Sequence, residues 1–150
     1  MNKKIINIII MMKELLSNGI KIHNQYVVNK NNLLLGRAHA YKCVLSTLYN
    51  QLIVHDISLE HLGLETISDP EKIFFSNEVV NYTSDNAIPI IDDKNQSDII
   101  NWMEHMKEDV LKDIYELHIP ESEEDEFNKF ARIGFKEIFN IMKKYGIKII

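Results

Sequence analysis

Leu34, Ala38, Tyr41, Leu45, Leu48, Leu52 and His55 recur at alternating steps of four and three. At about 3.6 residues per turn, that spacing lines one face of a helix for roughly six turns. A half-buried strand would alternate at every second residue instead. The chain therefore has to place one long amphipathic helix against a core, and its remaining segments have to supply surfaces that cover this seam.

Several flanking segments carry helical signals. Residues Lys3 to Asn18 form an almost continuously apolar stretch, as a helix central to a core does. Gly19 stands where a left-handed residue would end that helix, with Ile20 as the apolar follow-on. Asp69 followed by Pro70 marks a helix start, an N-cap with proline at the first helical position. Ser97 is placed to cap a helix carrying Ile99, Met103, Met106, Val110, Ile114 and Leu117 on one face, stopped by Pro120. "SEED" at Ser122 to Asp125 fits a capping box. The helix after it turns Phe127, Ala131, Gly134, Ile138, Ile141 and Tyr145 inward and ends at Gly146 after Lys143 and Lys144, the polarity the helix dipole favours. "DISLEHLGL" reads as a short turn opened by Ser58 and closed by Gly63, and Thr83 to Gln96 as a long polar loop. "LSNGIKI" is echoed by "KKYGIKII" at the other end of the chain, which allows a minimal two-stranded ribbon of residues 20–30 against 147–150. The expected fold is mainly α, a single compact domain over residues 1–150, with about five helices.

Composition limits the chemistry. At 150 residues, 45% hydrophobic and 26% charged, the chain has enough apolar surface for one core. A single cysteine, Cys43, forbids an internal disulfide, so a cytoplasmic location is the expectation. "KKIINIIIMM" is too short to span a bilayer and lacks a cleavage site. A net charge of −5 speaks against a nucleic-acid binder, which concentrates positive charge to displace phosphate counterions. None of the five glycines falls in a phosphate-loop spacing, and no Ser-His-Asp order is present. The Asp92–Asp93 pair sits in the polar loop, where the burial that raises a carboxyl pKa is lacking.

Three groups of residues remain as candidates. His55, Asp56 and His61 offer three potential metal ligands within seven residues. His55-Asp56, with His39 upstream, resembles the HD-type metal phosphohydrolase pattern, and that resemblance implies a helical fold gathering a divalent metal between histidines and aspartates. Geometry opposes it: on one unbroken helix His39 and His55 are about 24 Å apart and on nearly opposite sides. Arg37 and His39, beside Gly36 at a helix start, could form an anion-binding corner. Trp102, His105 and Asp109 share a stripe away from the main apolar face of their helix, where a tryptophan would serve as a binding hot spot. Cys43 reads as a semi-buried filler that His39, four residues earlier, can touch. The acidic run "PESEEDE" would face a basic partner, if any.

With no complete catalytic site legible, the expectation is a small acidic helical interaction protein. It would bind and modulate or inhibit a protein partner, in the manner of an inhibitor, immunity or anti-defence protein of a phage, virus or mobile element, without a cofactor and without membrane or nucleic acid; self-association stays open. The alternative is a metal-dependent phosphohydrolase or nucleotide-binding protein using a divalent metal at His55, Asp56 and His61.

Overall fold

The computed structural model describes residues 1–83, 85, 87–120 and 125–149, and among them there are helices and no strands. The helices are α1 (Lys3–Asn29), α2 (Asn32–Val54), α3 (Pro70–Phe75), α4 (Asp93–His105), α5 (Lys112–His118) and α6 (Glu126–Lys144). A π-helical segment, Met106–Leu111, joins α4 to α5, so the two make one continuous rod and the described residues form five helical rods. No helix among the described residues is long and apolar enough to cross a membrane.

The seam predicted from the 4-3 spacing is the centre of the molecule. Ala38, Tyr41, Leu45, Leu48 and Leu52 are buried, and so are Gly36, Ala40, Val44 and Tyr49 on adjoining faces. Because α2 is covered from more than one side, by α6, α1 and α3, its apolar surface is broader than one stripe. His55, the last position of the seam, lies beyond the final helical residue and is exposed.

Two glycines bring α2 and α6 together. A Cβ on Gly36 would stand 2.5 Å from Phe130 Cβ and 2.8 Å from the Ala131 nitrogen. A Cβ on Gly134 would meet Ala40 Cβ at 2.8 Å and the Arg37 carbonyl at 2.9 Å. Each glycine thus admits the opposite backbone, and no larger residue fits without moving a helix. The close approach anticipated at Gly36 is made by α6.

The region after Gly19 corrects the expected ribbon. Residues 20–29 continue α1, which ends only at Asn29 with Lys30 in the left-handed conformation (φ 51°), and residues 147–149 form no strand. Gly19 lies inside the helix because the space beside it is taken: a Cβ there would come within 3.1 to 3.2 Å of Phe74, Leu45 and Tyr41. Its lack of a side chain serves packing. Gly146, with φ 82°, does end α6 as its position predicts.

Asp69 caps α3 through the Glu71 amide with Pro70 at the first helical position, and Ser58 and Gly63 bound the short turn as expected. Two other starts differ. Asp92 caps the Asn95 amide, so α4 begins at Asp93 and takes in Ser97 and the end of the predicted polar loop. Asp125 caps α6 through Asn128; Ser122, Glu123 and Glu124 of the predicted capping box lie outside the described residues. The π segment also re-phases the rod. It packs an extra residue into a turn, so burial passes from Met103 and Met106 to Leu111, not Val110, and Leu117 is left exposed.

The described residues between Ser76 and Asp92 form no helix or strand, and α1 fastens this part of the chain at three points. Lys13 Nζ donates to the carbonyls of Asp85 and Ala87, each at 2.6 Å. His23 Nε2 donates to the Glu78 carbonyl at 3.1 Å. Asn24 accepts from the Val80 amide at 2.8 Å and donates to the Val80 carbonyl at 2.9 Å, as a neighbouring strand would. Lys13 and His23 are 6% and 1% exposed, so these bonds are what make their burial tolerable.

Candidate functional site

The sequence candidates fall on three different parts of the surface. Arg37 and His39, two residues apart, point to opposite sides of α2, and the anion-binding corner they would share is not formed. Arg37 Nε pairs with Glu137 Oε1 of α6 at 2.8 Å, and Tyr41 Oη donates to Glu137 Oε2 at 3.3 Å. Burial, followed by the Glu137 charge, pushes the Tyr41 phenol far above its ordinary range and keeps it a donor. These groups line a polar depression of about 520 Å³ with Asn18, Lys21 and Asn140. Its Arg37 and Glu137 charges are already matched within the protein.

His39 faces the other way, into a smaller depression of about 200 Å³. Four elements build it. The C-terminal half of α1 gives His23 and Tyr26; the first turns of α2 give Leu35, Ala38, His39 and Lys42. Phe74 and Phe75 come from α3, and Phe127 from the start of α6. Four aromatic rings and Leu35 make the walls predominantly apolar, and no carboxylate among the described residues lines them. Phe75, Phe127 and Leu35 are 68%, 38% and 37% exposed. Phe127, expected to face inward, thus stands at the groove's edge with its ring 5.1 Å from that of His39.

Two lysines rest on the groove's aromatic faces. Lys42 Nζ sits 4.1 Å from the centre of the Phe75 ring, and Lys30 Nζ 5.0 Å from that of Tyr26. Neither forms an ion pair among the described residues. Contacts of this kind hold an ammonium in place without neutralising it.

Next to His39 along α2, Cys43 Sγ lies 3.4 Å from His39 Nε2, the contact expected from their spacing. Burial, reinforced by the charge of Lys42 and by His118, pushes the His39 imidazole below its ordinary value. Burial pushes the Cys43 thiol up against the opposing pull of Lys42. Both shifts favour neutral partners, whereas a nucleophilic cysteine needs a thiolate beside an imidazolium. The pair is a neutral packing contact.

The third group spans the end of α2 and the rod. His105 Nδ1 is 2.8 Å from Asp109 Oδ2, and the His105 ring stands edge-on to His55 at 5.2 Å. Trp102 does not share this exposed stripe. It is 2% exposed and forms part of the core, so an indole offered as a surface hot spot is corrected to a core side chain; its Nε1 has no hydrogen-bond partner among the described residues. No group of three or more His, Cys, Asp or Glu among the described residues could hold a metal ion, the His55, Asp56 and His61 set included. His61 lies in the short turn Glu60–Leu62, and Asp56 takes a left-handed conformation (φ 57°) just past α2.

Sequence reasoning singled out only His39 of the groove. Apart from Leu35, Ala38 and Lys42 on α2 itself, the other members come from other helices, so no local spacing marks them. The available signal was the run of aromatics in "IFFSN", since paired phenylalanines on a six-residue helix cannot both face inward. Comparison of the chain with protein-family models, curated proteins and solved structures gives no match.

Proposed function

We propose that this chain acts by binding a partner protein through the groove lined by Tyr26, Leu35, His39, Lys42, Phe75 and Phe127, and modulates or inhibits that partner by occupying its surface. The observation that carries the reading is the ring of exposed apolar side chains around a concave floor, Phe75 above all. Large apolar groups gathered around a depression mark interaction sites on soluble proteins. Covering one such aromatic side chain stabilises a complex by about 2 kcal/mol. The rigid supports beneath, α2 and α6 locked through Gly36 and Gly134, keep the rim preorganised, which lowers the entropy lost on binding. An inhibitor, immunity or anti-defence role in the cytoplasm fits a small acidic protein working in this way.

The phosphohydrolase alternative gains no such support. It needs a break before His55, and α2 runs uninterrupted from Asn32 to Val54.

Native mass spectrometry on protein purified gently from its producing cells tests the reading. The expected result is a stoichiometric complex with a second polypeptide that is lost with Phe75→Ser and retained with Asn140→Ser, a change in the other depression. A protein that flies alone, or a complex indifferent to Phe75→Ser, would overturn it.

A further inference from the structure

The charge around the groove says what kind of segment it takes. Over the whole chain acidic residues outnumber Lys and Arg, 22 to 17. The groove reverses that balance among the described residues: no Asp or Glu of theirs lines it, and its lysine is Lys42. Lys30, which rests on the Tyr26 ring, adds a second positive charge at the edge. On the other side of α2, Arg37 is matched by Glu137, and at the end of α6 Lys144 is matched by Glu14. Lys30 and Lys42 lie against aromatic faces and form no ion pair among the described residues.

We infer that the groove takes an acidic amphipathic polypeptide segment, whose apolar anchor enters between Phe75, Phe127 and Leu35 while flanking carboxylates pair with Lys42 and Lys30. The inference rests on the reading of the groove as the partner-binding surface and adds the partner's chemistry to it. The geometry suits both halves of such a segment. The depression of about 200 Å³ holds one or two apolar side chains, not a folded domain. The two ammonium groups are held near the aromatic rims by weak contacts and can turn toward a carboxylate without breaking an ion pair among the described residues. Such pairing would speed association and select against basic segments, because Lys42 and Lys30 repel them.

A displayed library of random 16-residue peptides, selected against the full chain in low salt, tests this. Selected peptides are expected to carry apolar residues flanked by Asp or Glu. Their binding is expected to weaken about tenfold with the double variant Lys30→Glu, Lys42→Glu, to fall with rising salt, and to be abolished by Phe75→Ser. Both variants alter exposed or half-exposed positions, and unchanged circular dichroism confirms that they fold. If the selected peptides need Phe75 but show no acidic excess and ignore the lysine reversal, the charge assignment fails while the groove reading stands. If binding is indifferent to Phe75→Ser, both fail.

Discussion

The two depressions on either side of α2 differ in a way that size does not reveal. The one at Arg37 is the larger and more polar, yet Arg37, Glu137 and Tyr41 satisfy one another across the α2–α6 contact. The one at His39 is less than half its volume, and it exposes Phe75, Phe127 and Leu35 beside two lysines that have no carboxylate partner among the described residues. Internal ion pairing serves the fold, whereas apolar groups and charges left unmet by the protein itself are what a partner can satisfy. Two residues of sequence, Arg37 and His39, separate the two situations, because successive side chains on a helix point about 100° apart.

That contrast can be broken at its base. Gly134→Val should remove the close approach on which both depressions depend, costing about 3 kcal/mol through overpacking against the α2 backbone. Urea unfolding would measure it, and a change below about 1 kcal/mol would mean that the helices can separate freely. Arg37→Ala comes next in size. It leaves the half-buried Glu137 carboxylate with the Tyr41 hydrogen bond and no ion-pair partner and should cost about 1 kcal/mol, while Phe75→Ser should change stability by less than about 0.5 kcal/mol because the ring is mostly in solvent. The order of the two should reverse when partner binding is measured.

Titration sharpens the comparison further. Tyr41 and Tyr49 both have phenols raised by burial, Tyr41 also by Glu137 and Tyr49 also by Tyr82. The unfolded chain loses these protons near pH 10, before the folded one does, so their contribution is complete below that pH and lost as pH rises above it. Stability should fall above about pH 10, and Tyr41→Phe should flatten part of the slope. His39 has the opposite sign. Its folded pKa lies below 6.5, so its contribution is present above pH 6.5 and lost as pH falls from there through the folded pKa. The smallest effect expected is a rise of the His39 midpoint toward 6.5 in Lys42→Ala, read by NMR; since burial is the larger cause, the midpoint should remain below 6.5.

The sequence made the fold legible where one local rule acted alone. The seam from Leu34 to Leu52 obeys a single period, and Asp69-Pro70 combines a cap with a fixed dihedral. Legibility failed where distant residues decided. Gly19 resembles a helix stop until Phe74 and Tyr41 are seen to fill the space beside it. Trp102 sits off a stripe drawn with a 3.6-residue period, yet the core reaches it, and the π segment beyond it shifts the phase of α5. The groove was hidden for the same reason, since Tyr26, His39, Phe75 and Phe127 become neighbours only after α1, α2, α3 and α6 have packed.

The most direct test of the groove as the working surface places a photo-crosslinking amino acid at Phe75 in one version of the protein and at Asn140 in another, within the producing cells. The predicted result is one dominant crosslinked polypeptide from position 75, suppressed by Leu35→Ser, and none from position 140. Equal labelling from both positions, or labelling from 140 alone, would contradict it and move the working surface to the Arg37 side of α2.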